Sequence, residues 1–197
     1  MVPNEMFKLD LNKVEKKLYD IYPILYQLDK RGISNILSKK DGFIQTCRYT
    51  IEDAQSVIDD YKGLSDQEFE KIKYLALYGL LQAFFVQQDA IKGLISFCLN
   101  EKIDFKKEYP ALYGIREIRN ITTGHPTNNG QLYYLISQPT LKKDKFYLVG
   151  HDAKDERNGR YIQVYPNLLY EQENGMLLLL KRLKEGLNRL LKESKKN

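Results

Sequence analysis

Leu75-Ala-Leu-Tyr-Gly-Leu-Leu-Gln-Ala-Phe-Phe-Val86 is the longest apolar run in the chain, and a single amide, Gln82, interrupts it. Its 12 residues fall short of the ~20 that a membrane span needs, so it reads as a buried helix. The helical pattern extends from Phe69 to about Leu99 and is apolar over most of its circumference in the middle. A helix of that kind stands at the centre of a bundle or in a subunit interface. Ser65-Asp-Gln-Glu68 opens it as a capping box, in which Ser65 and Glu68 satisfy each other's free backbone donors. Gln87, Gln88 and Asp89 follow the run and read as an exposed edge turn. The alternative is that Gln82 and Asp89, seven apart and therefore on one face, point toward the arginines near residue 119.

Working outward from this helix, Gly63 ends a preceding one that carries Phe43, Ile51, Ala54, Val57, Ile58 and Tyr61, with Asp41-Gly42 as an expected break before it. Between about Leu9 and Asp29, Leu11, Val14, Leu18, Ile21, Ile24, Leu25 and Leu28 describe one apolar face, which Pro23 kinks or divides. On the C-terminal side the period changes to two. Leu132, Tyr134 and Ile136, then Phe146 to Val149, then Tyr161 to Val164, read as a three-stranded antiparallel meander over about residues 131–165, with Asn158-Gly159 as a tight turn. Because it interrupts a helical pattern, the meander is expected to project as an accessory element. Tyr133, Tyr134, Tyr147, Tyr161 and Tyr165 could stack bases, but strands favour aromatic residues for packing alone. His151 falls in the polar stretch Gly150 to Arg157 and reads as solvated. A basic helix over about residues 167–194 closes the bundle. The whole chain, residues 1–197, is expected to be one domain, mainly α, with the β-meander inserted before the last helix.

Net charge is +5, and residues 181–197 hold seven Lys and Arg against Glu185 and Glu193. Residues 1–180 then sum to zero with 24 charges of each sign, so the body is no basic platform, and the charge at the end reads first as a solvated helix. Cys47 and Cys98 are too few for a disulfide framework; with no apolar leader they read as reduced thiols in a cytoplasmic protein. Two His and two Cys make no conventional zinc set, so no metal and no cofactor is expected.

The chemistry concentrates in Arg116-Glu-Ile-Arg-Asn-Ile-Thr-Thr-Gly-His-Pro126. Leu112, Ile115 and Ile118 form a helical stripe with Arg116 and Arg119 on another face, Gly124 stands past the helix end, and Pro126 keeps His125 out of the α region. In a continuous helix positions 119 and 125 would lie about 240° apart, so only a break lets His125 fold back beside Arg119. A guanidinium fork suits phosphate, and an imidazole moves protons near neutral pH.

Arg119-Asn120-Ile-Thr-Thr-Gly-His125 resembles the signature of HEPN domains, in which Arg is followed by a polar residue and His comes after a gap of four to six; here the gap is five. Leu81 to Asp89 also resembles helices of HEPN-type proteins. The resemblance implies a helical bundle that pairs as a homodimer and, in active members, a metal-independent endoribonuclease acting on single-stranded RNA, with the two Arg/His motifs meeting across the interface. It implies His125 as acid and base, Arg119 as phosphate clamp and Asn120 as orienting partner. Arg116, one turn before Arg119, is added as a second phosphate contact. The resemblance leaves open a toxin or phage-defence context and an antitoxin or nucleotidyltransferase partner. It equally allows a non-catalytic dimer that binds a protein or a nucleotide.

Overall fold

The computed structural model describes residues 12–30, 35–124, 132–152, 155–164 and 168–194. Along them run α1 (Lys13–Tyr19), α2 (Tyr22–Lys30), α3 (Asn35–Gly63), α4 (Asp66–Leu99), α5 (Phe105–Glu108), α6 (Pro110–Arg119), a π-helical turn (Asn120–Gly124), β1 (Leu132–Ile136), β2 (Phe146–Asp152), β3 (Asp155–Val164) and α7 (Leu168–Glu193). The fold is mainly α, with a small antiparallel sheet of order β1-β2-β3 inserted before the last helix, as the periodicities predict.

The first helical segment divides at Asp20–Ile21, not at Pro23, which lies in the first turn of α2 where its missing N–H is not needed. α3 runs straight through Asp41-Gly42, against the expected break. A glycine inside a helix costs about 1 kcal/mol relative to alanine. Burial of Ile44 and Ile51 on the same helix contributes about 1.5–3 kcal/mol each, so continuity wins.

α4 begins with the predicted capping box: Glu68 N–H donates to Ser65 Oγ at 3.3 Å and Ser65 N–H donates to Glu68 Oε2 at 2.8 Å. The helix kinks at Ile72 (φ −127°, ψ 19°) and then buries Leu77, Leu80, Leu81, Ala83, Phe84, Ile91, Leu94 and Ile95 in the core. One stripe stays outside, with Leu75 72% and Tyr78 41% exposed, and the exposed Gln82 and Asp89 continue it at helical spacing.

Gln87 and Gln88, expected on an exposed edge, are instead fully buried with Gln55 and Gln172. Gln88 Nε2 donates to Gln172 Oε1 (2.7 Å), Gln172 Nε2 to Gln87 Oε1 (2.9 Å), Gln87 Nε2 to Gln55 Oε1 (3.0 Å) and Gln55 Nε2 to Asp59 Oδ1 (3.1 Å). Gln55, Gln87 and Gln172 both give and receive, while Gln88 only gives, so polar groups from α3, α4 and α7 largely satisfy one another. The chain of amides also fixes the rotation of α4, which decides what its outer stripe meets.

The sheet does not project freely. Leu141, Phe146, Leu148 and Val164 are buried in the same apolar core as the helices, while Leu135 on β1 is exposed. The segment before β2 is clamped to the end of α3: Tyr61 Oη donates to Lys143 O at 2.8 Å, and Lys143 Nζ donates to the carbonyls of Lys62 and Leu64. An ammonium on those carbonyls also meets the negative end of the α3 dipole. Asn158-Gly159 lies within β3 and not at its start; the register slips between Gly150 and Asp152, where β3 carries the extra residues. The pair makes a bulge in place of a tight turn. His151, expected in a loop, has its backbone in β2 opposite Tyr133.

α7 packs its buried Met176, Leu179, Leu180, Leu183 and Leu187 against this core. Two glycines let neighbours approach: a Cβ on Gly175 would lie 2.4 Å from Leu112 Cδ2, and one on Gly186 would lie 2.4 Å from Leu99 Cδ1. Three basic residues of α7, Arg182, Lys184 and Arg189, pair with acidic groups of the body. Arg182 pairs with Glu101 (2.8 Å) and Glu108 (2.6 Å), and Lys184 with Asp20 (2.8 Å). Among the described residues no helix is long and apolar enough to cross a membrane.

Candidate functional site

Pro110 starts α6 in its first turn, Leu112 and Ile115 bury its inner face, and Arg116 and Arg119 occupy its last turn. Past Arg119 the helix widens into a turn whose last residue is Gly124. Thr122 Oγ1 donates to Ile118 O at 2.6 Å and Thr123 Oγ1 donates to Arg119 O at 3.1 Å. Hydroxyls bonded four residues back compete with the backbone ladder and bend helices. Here two in succession accompany a π-helical turn over Asn120–Gly124. A repeat of five residues sets Gly124 directly over Arg119. The distances agree: a Cβ on Gly124 would stand 2.8 Å from Arg119 Nη1 and 3.6 Å from Arg119 O. The guanidinium fills the space a side chain at position 124 would take, so any other residue there would push Arg119 aside.

Arg119 is held on three further sides. Gln82 Oε1 of α4 accepts from both Nε (3.3 Å) and Nη2 (3.0 Å), and Asn120 Oδ1 accepts from Nη1 (3.3 Å). Its Cζ lies 4.4 Å from the Phe85 ring centroid, within cation–π range. Arg116 lies against the same ring at 4.1 Å and against Phe105 at 5.2 Å, and Nη1 donates to Asp89 Oδ1 at 2.9 Å. Gln82, Phe85 and Asp89 thus form one face of α4 that receives both arginines. The alternative reading of Gln82 and Asp89 as partners of the Arg119 region is the arrangement observed.

The structure therefore gathers Arg116, Arg119 and Asn120 in one place, and His125, the next residue after Gly124, lies outside the described residues, as does Pro126. Asn120 touches Arg119 as an orienting partner would. Arg116 differs from expectation in one respect: its charge is already paired with Asp89, so a phosphate would have to compete with a carboxylate. Phe85 escaped notice because it sits inside an apolar run and read as core; the spacing 82, 85, 89 was the available signal. Among the described residues no group of three His, Cys, Asp or Glu could hold a metal ion.

An open cavity of about 850 Å³ lies elsewhere, between the start of α4 and the residues before β2, lined by Tyr61, Phe69, Leu80, Lys142, Lys145 and Phe146 among others. It contains none of the site residues, and its lysines are matched by Asp66, Glu70 and Asp144. Comparison of the chain with family models, curated proteins and solved structures finds no match.

Proposed function

We propose that the protein is a metal-independent endoribonuclease of the HEPN kind, acting as a homodimer on single-stranded RNA. The observation that carries this reading is the setting of Arg119. Its guanidinium donates three N–H groups to Gln82 and Asn120, which leaves one on Nη1 and one on Nη2 without a partner among the described residues. A pair of N–H groups on one planar fork matches a phosphate's oxygens. The residue seated over that fork, Gly124, is followed directly by His125.

In the reaction a base takes the proton from a ribose 2′-hydroxyl, the 2′-oxygen bonds to phosphorus, and an acid protonates the departing 5′-oxygen. One imidazole cannot readily be base and acid in the same step, whereas His125 from each of two subunits divides the roles. Arg119 stabilises the charge that builds on the phosphorane oxygens. A homodimer is supported by the α4 stripe: Ile72, Leu75 and Tyr78 are 42%, 72% and 41% exposed and lead along the helix to Gln82. Large apolar side chains grouped beside a site mark an interaction surface.

The reading is tested with purified protein and single-stranded RNA in EDTA, using all-deoxy substrate as control. Cleavage of RNA alone is expected, with Arg119→Lys strongly impaired because an ammonium lacks the fork. Light scattering should give a dimer at micromolar concentration; a monomer that cleaves RNA fully removes the two-subunit mechanism. A second reading, a non-catalytic dimeric module that binds a protein or nucleotide, is favoured by the Arg116–Asp89 ion pair and by the internal bonding of Arg119. RNA bound but never cut in any metal-free or metal-supplemented buffer would select it.

A further inference from the structure

We propose that Gln82 and Phe85 are positioning residues, which hold Arg119 so that the Nη1–Nη2 edge of its guanidinium meets the phosphodiester; this rests on the nuclease reading. Gln82 Oε1 occupies the other edge, accepting from Nε and Nη2 together. Phe85 supports the plane at 4.4 Å, and Gly124 leaves room at Nη1. The choice of an amide has a chemical consequence. A carboxylate at position 82 would hold the same edge more strongly and cancel the charge, as Asp89 does for Arg116 at 2.9 Å. A neutral acceptor fixes the geometry and leaves the full positive charge for the ligand. The two arginines three residues apart on α6 then divide the work: Arg116, neutralised by Asp89 and laid on Phe85 and Phe105, supports the ring on which Arg119 rests.

The test compares wild type with Q82L, Q82E and F85L, by ¹H–¹⁵N spectra of arginine Nε–H groups and by RNA-cleavage kinetics. The Arg119 Nε–H signal, assigned by its loss in Arg119→Lys, should be sharp and exchange-protected in wild type and Q82E, and broadened in Q82L. Removing a hydrogen bond to a charged group predicts that kcat of Q82L falls about tenfold or more with KM little changed. Q82E should keep the sharp signal yet raise KM, because the cation is now paired. F85L should show a smaller fall in kcat with the hydrogen bonds kept. An Arg119 signal unaltered in Q82L, or folded Q82L with wild-type kcat, overturns the positioning. Wild-type protein that holds Arg119 as described and cuts no RNA overturns the nuclease reading, and with it the purpose of the hold.

Discussion

Replacing Gln172 with leucine should be among the most damaging near-isosteric changes in the protein. Gln172 is 1% exposed, accepts from Gln88 Nε2 and donates to Gln87 Oε1 and, at 3.4 Å, to Phe84 O. Leucine fills a similar volume but strands a buried donor on Gln88 and a buried acceptor on Gln87. Each orphaned group costs about 1–3 kcal/mol, so the sum is roughly 2–6 kcal/mol against a domain stability of about 5–15 kcal/mol. Gln88→Leu makes the comparison sharp. Gln88 Oε1 has no partner among the described residues, so that substitution removes one orphan and creates another on Gln172 Oε1. Its net cost through the network is therefore close to zero. Urea unfolding followed by circular dichroism measures both, and the midpoint should drop far more for Gln172→Leu with the slope unchanged. Equal losses for the two variants, or less than about 1 kcal/mol for Gln172→Leu, would refute the account of the amide network.

Gly175→Ala must displace Leu112, whose Cγ, Cδ1 and Cδ2 all lie within 2.8 Å of the new Cβ, and overpacking of this kind costs about 1–3 kcal/mol, or roughly 2–12 °C in Tm. Gly42→Ala, with nothing within 4 Å on a helical backbone, should instead stabilise by about 0.4–1 kcal/mol in the same melting assay. The Glu108 carboxyl is held below its ordinary value of 4.5 by the Asp104 backbone N–H and then by Arg182. Because the folded pKa is the lower one, its contribution is present above pH 4.5 and is lost as pH falls through the folded value; the Tm advantage of wild type over Glu108→Gln should vanish in acid. Burial pushes the Cys98 thiol up to about 12 and raises that of Cys47, so both should react with a thiol reagent only as fast as the protein opens.

Much of the fold was legible because it rests on local signals: the Ser65/Glu68 box, the three-and-four spacing of α7, and the change to period two after residue 131. Where the reading missed, a long-range contact decided. Gln87 and Gln88 look like surface residues until Gln55 and Gln172, 32 and 84 positions away, supply their partners. Gly42 and Asn158-Gly159 are permissive residues, and packing or strand pairing chose a helix and a bulge over the breaks they allow. At the site, Arg119 and Asn120 were readable from one short stretch, whereas Phe85 was not. An aromatic residue in an apolar run carries no mark of the cation that will lie on it. The π turn was equally hidden, since consecutive threonines are common and only their bonds to Ile118 and Arg119 show the widening.

The proposed nuclease mechanism requires that the His125 imidazole transfer a proton in the cleavage step. Single-turnover cleavage of single-stranded RNA in EDTA, wild type against His125→Ala, tests it most directly. Circular dichroism and light scattering first establish that the variant is folded and dimeric. The account predicts a loss of about 10²- to 10⁴-fold in rate, the usual worth of acid–base catalysis. Folded, dimeric His125→Ala protein that cuts RNA at the wild-type rate would contradict it.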